Sequence, residues 1–249
     1  MTADRSDVHD LLKHLEAVGF EGTPRLLGID EHNREILSYL PGNVPPDLDH
    51  FSDIQLLSAA ALLRRFHDAT AYSPRAQKQN SEVLCHNDWG PPNAVFHEGL
   101  PYGIIDFDTI APGLRLWDLG YSAFAWLDLG NPDYTGEEQI RRLSIFAEGY
   151  DLPVCSPAQI AAYAVARQTA LASSGRVKGK IEMADWAAST AHWTIVNVTE
   201  KLLPTGYSIG TQAESTAASP LLATISVSRN QEFFQKPICR LRPALGFPW

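Results

Sequence analysis

The chain has 249 residues, of which 45% are hydrophobic, and a formal charge of -9 at pH 7. These values predict a globular protein with a sizeable core, and the acidic balance argues against nucleic acid as a partner, because binding to its phosphates needs clustered Lys and Arg. The sequence has neither an apolar run near the ~20 residues of a membrane helix nor a basic-then-apolar start, so we expect no membrane partner and a cytoplasmic location.

The first third of the chain predicts a helix, two strands and a second helix. Their predicted ranges are 8–18, 25–29, 35–40 and 53–69. Ser6 or Asp7 is in position to cap the first helix, and Gly19 ends it. Pro41 and Gly42 interrupt the pattern after the second strand, so we expect a hinge there.

The remaining residues predict three short strands, four helices and an atypical tail. The strands are predicted over 83–85, 94–97 and 102–105, and the helices over 116–129, 137–150, 157–173 and 182–203. Ser156 and Pro157 form a good cap and first-turn pair. The Ser/Thr/Gly/Ala run over 205–219 is typical of a linker, and residues 221–227 could form a lone strand.

Cysteine usage excludes two structural roles. Cys85, Cys155 and Cys239 are odd in number, far apart and without a CxxC pair. This pattern favours neither a disulfide framework nor a structural zinc site. We therefore interpret the three cysteines as small buried hydrophobes.

A polar loop lies between the strands predicted over 83–85 and 94–97. It contains two prolines and offers the side chains of His86, Asp88 and Asn93. Loops held between strands are common positions for functional residues. We therefore expect a site in this loop.

The next strand brings a further carboxylate toward the same loop. If the hairpin turns at Gly99 and Leu100, Phe96 faces Gly103 and Asn93 faces Asp106. An amide oxygen beside a carboxylate suits magnesium, which takes few protein ligands and completes its octahedron with water and phosphate oxygens. Asp88 would then orient an attacking hydroxyl and accept its proton.

The spacing of these residues resembles the aminoglycoside phosphotransferase and choline kinase superfamily, whose fold is similar to that of protein kinases. The segments that carry the resemblance are His86-x-Asp88-x4-Asn93, Ile104-Ile105-Asp106-Phe107-Asp108, Trp117-Asp118-Leu119, Leu62-Leu63-Arg64-Arg65-Phe66-His67 and Ile36-Leu37-Ser38-Tyr39-Leu40-Pro41-Gly42. The resemblance covers roughly residues 8–203.

The resemblance implies a role for each residue of the loop. Asp88 is expected to be the catalytic base, and Asn93 and Asp106 are expected to hold magnesium. Asp118 is expected to brace the loop from the start of a helix, and His86 is expected to support the loop by packing.

The resemblance also implies a nucleotide site. The backbone of Ser38, Tyr39 and Leu40 is expected to receive the adenine of ATP. Asp108 is expected either to touch a second metal ion or to cap the following loop.

The fold class implied is α+β and protein-kinase-like. We expect a truncated amino-terminal lobe and hinge over 1–42, a mainly helical catalytic lobe over 43–203 that carries a short β-hairpin site, and an atypical, linker-like tail over 204–249. The family's glycine-containing phosphate loop and lysine-bearing strand do not occur in the printed residues before the first helix. We expect either that the true start lies upstream or that activity is impaired.

The function predicted is an ATP- and Mg2+-dependent transfer of a phosphoryl group to a hydroxyl of a small molecule, such as an aminoglycoside-like or amino-alcohol-like acceptor. One alternative is a catalytically silent family member that acts as a binding protein. Another is a metal-dependent hydrolase that uses His86, Asp88 and Asp106, although histidines at metal-ligand spacing are too few.

Several residues near the motifs have ordinary structural interpretations. Arg64 and Arg65 are expected on the solvated face of their helix. Trp89 either packs the loop or contacts substrate. The aromatic residues with near-helical spacing are more typical of a core than of a substrate cage, and they are Trp117, Tyr121, Phe124 and Trp126.

Overall fold

The computed structural model describes residues 4–45, 50–202, 209–212 and 224–227. The α-helices in these ranges are α1 (Arg5–Ala17), α2 (Asp53–Thr70), α3 (Pro74–Lys78), α4 (Arg115–Leu127), α5 (Gly136–Tyr150), α6 (Pro157–Val177), α7 (Ile181–Thr194) and α8 (Glu200–Leu202). A 3-10 turn covers Pro91–Asn93, and a π-helical turn covers Ile195–Thr199.

The strands form antiparallel pairs rather than one large sheet. They are β1 (Leu26–Ile29), β2 (Glu35–Leu37), β3 (Val83–Cys85), β4 (Ala94–His97), β5 (Leu100–Ile104), β6 (Ala111–Gly113), β7 (Ile209–Gln212) and β8 (Thr224–Val227). Within the described residues the pairs are β1 with β2, β3 with β6, β4 with β5 and β7 with β8. The fold is therefore a mainly helical α+β structure with small sheets, as predicted.

The structure confirms most of the predicted elements and corrects some of their ends. Asp4, rather than Ser6 or Asp7, caps α1, because its carboxylate accepts the Ser6 N–H at 3.2 Å. Ser156 caps α6 in a capping box with Gln159, as its sequence position predicts. The sequence patterns did not reveal α3 or β6, which are only five and three residues long.

The predicted hairpin register is wrong. Both Glu98 and Gly99 have positive φ, at 51° and 80°. These angles at both central positions are those of a type I′ turn. The turn connects His97 and Leu100, which are the last paired residues of the hairpin. The turn is therefore one residue earlier than predicted.

A bulge after Val95 changes the register again along the same hairpin. The turn itself places Phe96 opposite Pro101 instead of Gly103, and on the far side of the bulge Val95 faces Gly103. The Ile105 N–H donates to the Asn93 carbonyl at 3.0 Å, so Asp106 lies one residue past the position opposite Asn93.

The tail prediction is tested only in part. β8 lies within the predicted lone strand and pairs with β7, which lies in the predicted linker. The other residues predicted there, with Cys239, lie outside the described residues. Cys85 and Cys155 are buried free thiols, as expected.

The core is built where the long helices cross. α2 contributes Leu56, Leu63 and Phe66, which pack with Trp126 of α4 and Phe146 of α5 in one cluster of buried side chains. Burying an apolar side chain of this size stabilises a fold by about 1.5–3 kcal/mol. None of the helices in the described ranges has the length and apolar character needed to cross a bilayer.

The segment after β2 is attached to the β4–β5 hairpin. Asn43 and Phe96 exchange backbone hydrogen bonds of 3.0 and 2.7 Å. The Tyr102 hydroxyl donates to the Pro41 carbonyl at 2.6 Å. Gly42 has φ 144°, and a Cβ atom there would lie 2.2 Å from the Phe96 carbonyl oxygen. A glycine is therefore required where this segment meets the hairpin.

Replacing Gly42 tests this attachment. We expect Gly42→Ala to lower the free energy of unfolding by about 1–3 kcal/mol, because it combines a strained φ with a backbone clash. The matched control is Gly28→Ala, since a Cβ at Gly28 meets nothing within 4 Å. Denaturant unfolding of both variants measures the difference, and equal effects would contradict the required contact.

Candidate active site

The loop between β3 and β4 is held by one buried carboxylate. The Asp118 side chain, in the first turn of α4, accepts the backbone N–H groups of His86 and Asn87, each at 2.7 Å. Asn87 has φ 66°, so the chain turns sharply at this point. These hydrogen bonds offset the desolvation free energy of the buried carboxylate, so Asp118 can hold the loop in place.

A second buried group supports Asp118 from α2. His67 contacts the Asp118 Oδ2 atom through Nε2 at 3.0 Å and the Tyr150 hydroxyl through Nδ1 at 2.7 Å. Burial lowers the pKa of His67, so the imidazole is neutral. The network then assigns Nε2–H as the donor to Asp118 and Nδ1 as the acceptor from Tyr150.

The pKa of Asp118 reflects the same contacts. Burial alone would raise this pKa, but the hydrogen bond from His67 and the loop N–H groups outweigh the effect and hold it below the ordinary value. Asp118 is therefore ionised, which is the state that accepts all three hydrogen bonds.

His86 connects the loop to the end of β5. Its Nε2 atom donates to the Ile105 carbonyl at 3.0 Å, and its Nδ1 atom accepts the Asp88 N–H at 3.3 Å. The ring also lies against Phe107, with the centroids 5.2 Å apart. These are the contacts of a residue that packs and orients the loop.

Both carboxylate oxygens of Asp88 are held by donors. The Asn93 amide nitrogen donates to the Asp88 Oδ2 atom at 3.0 Å and to its carbonyl at 2.7 Å. The Tyr121 hydroxyl donates to the Oδ1 atom. Burial raises the pKa of Tyr121, as does the adjacent Asp88, so the phenol remains a donor. The carboxylate therefore has a fixed orientation.

The predicted magnesium ligands present oxygens that the described protein leaves without partners. The Asn93 nitrogen faces Asp88, and its Oδ1 atom accepts no hydrogen bond from a described residue. Asp106 and Asp108 are exposed, and Asp106, two residues after the end of β5, has φ 63°. In the described ranges no three His, Cys, Asp or Glu side chains form a metal cluster. An amide and a carboxylate oxygen suit magnesium, because it needs only one or two protein ligands besides water and phosphates.

Arg167 of α6 is a site residue that was not predicted from the sequence. Its guanidinium donates to the Asn87 carbonyl at 2.8 Å and lies 4.8 and 4.9 Å from the ring centroids of Trp117 and Tyr121. Burial lowers the pKa of this arginine, and the negative charge of Asp118 counteracts that effect. A single arginine in the alanine-rich segment 160–172 is the signal that could have identified it.

The structure decides between several interpretations of the neighbouring residues. Trp89 is fully buried and donates to the Ala59 carbonyl at 3.3 Å, so it packs the loop. Trp126 is a core residue. The expected solvated position of Arg64 is wrong, because its guanidinium donates to the carbonyls of Tyr150 and Asp151 at the end of α5.

The predicted adenine segment has unpaired backbone groups. The Ser38 N–H donates to the Arg25 carbonyl at 2.9 Å and is therefore occupied. The backbone groups of Tyr39 and Leu40 make no hydrogen bond with a described residue. If this segment receives a nucleotide, Tyr39 and Leu40 rather than the Ser38 N–H provide the contacts.

A protein-family model matches the part of the chain that contains the site. Residues 6–154 match the model of a family described as the phosphotransferase enzyme family. A curated relative, the trifolitoxin immunity protein of Rhizobium leguminosarum bv. trifolii, is 38% identical over 138 residues. That alignment covers 49% of this chain and 51% of the relative, so it spans about half of the relative's length.

Solved structures share the fold at low sequence identity. An ethanolamine kinase of Plasmodium vivax has a TM-score of 0.53 and 12% identity over 78% of this chain and 74% of its own. The GDP complex of aminoglycoside 2'-phosphotransferase-IIIa has a TM-score of 0.50 and 14% identity over 76% of this chain and 81% of its own. These similarities establish a kinase-like fold.

Removing the Asp118 carboxylate tests the support of the loop. We expect Asp118→Ala to lower the free energy of unfolding by about 3–5 kcal/mol, because two backbone N–H groups and His67 lose their buried acceptor. Denaturant unfolding measures the loss. Asp133→Ala, at an exposed carboxylate, is the control and should change stability little. Equal stability of the two variants would contradict the bracing role.

The lowered pKa of His67 predicts a loss of stability in acid. The unfolded histidine takes up a proton below pH about 6.5 while the folded one does not, so the free energy of unfolding falls as the pH drops below that value. This residue contributes a slope of at most about 1.4 kcal/mol per pH unit. Denaturant unfolding of wild type and His67→Gln between pH 5 and 8 measures the contribution of His67 to the pH dependence of the free energy of unfolding. Parallel profiles would show that His67 does not titrate in this way.

Proposed function

Because the chain belongs to the phosphotransferase enzyme family, we propose that it transfers the γ-phosphoryl group of ATP to a hydroxyl of a small molecule with the help of Mg2+. The observation that carries this proposal is the anchored carboxylate of Asp88, which accepts the amide N–H of Asn93, while the Asn93 amide oxygen accepts no hydrogen bond from a described residue. We also propose that residues 1–42 form the lobe and hinge that bind the nucleotide and that residues 43–203 form the lobe that carries the catalytic residues.

Asp88 is the base in this proposal. Phosphoryl transfer requires little covalent chemistry from the protein, so an oriented carboxylate and charge neutralisation are the main contributions. Asp88 orients the acceptor hydroxyl and takes its proton as the oxygen attacks phosphorus. Tyr121 and Asn93 keep the carboxylate in one position, so the acceptor meets a base that is already oriented.

Asn93 and Asp106 are the ligands that we assign to magnesium. No described residue donates a hydrogen bond to the Asn93 amide oxygen or to the Asp106 carboxylate, and one amide with one carboxylate leaves positions for water and phosphate oxygens. Bound Mg2+ would neutralise the negative charge of the phosphates. The backbone of Tyr39 and Leu40 would receive the adenine, and Gly42 holds this segment against the hairpin.

Substitution of the base tests the proposed activity. We expect Asp88→Asn to reduce the rate of phosphate transfer by about 10²–10⁴-fold, which is the usual contribution of a general base. The measurement follows labelled γ-phosphate from ATP to a panel of aminoglycosides, amino alcohols and sugars, with Mg2+ present. Asp133→Asn is the matched control because Asp133 is exposed and remote from the loop in sequence.

Three results would contradict this assignment. Transfer by Asp88→Asn at the wild-type rate would mean that the base is wrong. No transfer by the wild-type chain to any acceptor would favour a catalytically silent binding protein. Hydrolysis that needs a metal ion but no ATP would favour a hydrolase.

A further inference from the structure

A small cavity lies between α4 and α6, next to the proposed base. It has a volume of about 40 Å3. This is room for a few waters or for one substituent of a larger molecule. The side chains that line it include Trp117, Tyr121, Phe124, Arg167, Gln168 and Leu171.

Gln168 presents polar atoms that the described protein does not satisfy. Its side chain is only 1% exposed, and neither Nε2 nor Oε1 has a hydrogen-bond partner among the described residues. Leaving a buried amide unpaired costs free energy, and such groups are rare in native proteins. The Gln168 amide has an NH2 donor and a carbonyl acceptor. A complementary ligand group therefore both accepts and donates a hydrogen bond. A hydroxyl or a carboxamide has this property.

The charge in the cavity wall disfavours a cation. The Arg167 guanidinium lies against the rings of Trp117 and Tyr121, so a positive charge already occupies a face of each aromatic residue. An ammonium group in the cavity would meet this buried like charge at low dielectric. An anion would in turn lie near the carboxylate of Asp88, which Tyr121 contacts. A neutral group is therefore favoured.

Tyr121 connects the cavity with the chemistry. Its ring lines the cavity, and its hydroxyl donates to Asp88. Only the Tyr121 side chain therefore separates a group in the cavity from Asp88. Neighbouring groups of the same molecule would lie close to the proposed base.

We propose that this cavity is a specificity subsite that takes a neutral hydroxyl- or carboxamide-bearing part of the acceptor, with Gln168 as its specificity-determining residue. This inference rests on the proposed phosphotransferase function and narrows its substrate class. Charged amino groups of an acceptor remain outside the cavity.

Gln168→Met tests the subsite, because methionine keeps the length of the side chain and removes the amide. The probes are the neutral diols ethylene glycol and 1,3-propanediol and their amino counterparts ethanolamine and 3-amino-1-propanol, in which the hydroxyl that does not react is replaced by an ammonium group. We expect wild type to favour the neutral member of each pair by about tenfold or more, as two hydrogen bonds to the amide would provide. In Gln168→Met, KM for the neutral member should rise about tenfold with kcat little changed, and the preference should disappear.

A binding measurement keeps the test independent of turnover. Saturation-transfer NMR should detect 1,3-propanediol on wild type and a much weaker signal on Gln168→Met. The ligand-free variant should unfold at the same temperature as wild type or higher, because the substitution removes the unsatisfied amide of Gln168. Gln168→Leu is the second variant if methionine disturbs folding. Gln77→Met, at an exposed glutamine of α3, is the matched control and should behave as wild type.

The possible outcomes separate this inference from the proposed function. Binding of neutral diols that depends on Gln168, without transfer from ATP, supports the subsite and overturns the kinase function. Transfer that is unchanged by Gln168→Met, or that favours the amino compounds, overturns the subsite and leaves the function intact. Absence of both binding and transfer for every probe overturns both.

Discussion

Two backbone hydrogen bonds to the Asp118 carboxylate are the constraint on which the site depends. They hold the N–H groups of His86 and Asn87 at 2.7 Å and thereby set the path of the loop that carries Asp88. His67 supplies the third donor from α2. Because α2 and α4 belong to the same core cluster, the packing of the helices determines where the loop begins.

The surroundings of the loop differ between its two sides. On the side of α4 and α6, Tyr121 and the buried Arg167 enclose the Asp88 carboxylate and one carbonyl of the loop. On the side of β5, Asp106 is exposed to solvent. An enclosed side suits selection of an acceptor, whereas an open side leaves space for hydrated phosphates and a metal ion. This difference is consistent with the phosphotransfer that we propose.

The sequence predicted the elements better than the contacts between them. Loop spacing located His86, Asp88 and Asn93 between strands that the structure confirms. The predicted hairpin register was wrong because Glu98 has a positive φ. Glutamate rarely adopts a positive φ, so this residue type does not indicate a turn position. Arg167 was missed because its hydrogen bond to Asn87 joins residues 80 positions apart, so the alanine-rich sequence around the arginine marks the residue but not its partner.

Nucleotide binding is the most direct test of the view that this site handles phosphates. Isothermal titration calorimetry of the chain with ATP, with and without Mg2+, measures it independently of any acceptor. If this view is correct, ATP binding requires Mg2+ and weakens in Asn93→Ala and Asp106→Ala. Absence of ATP binding at millimolar Mg2+, or binding that is unaffected by both substitutions, would contradict it.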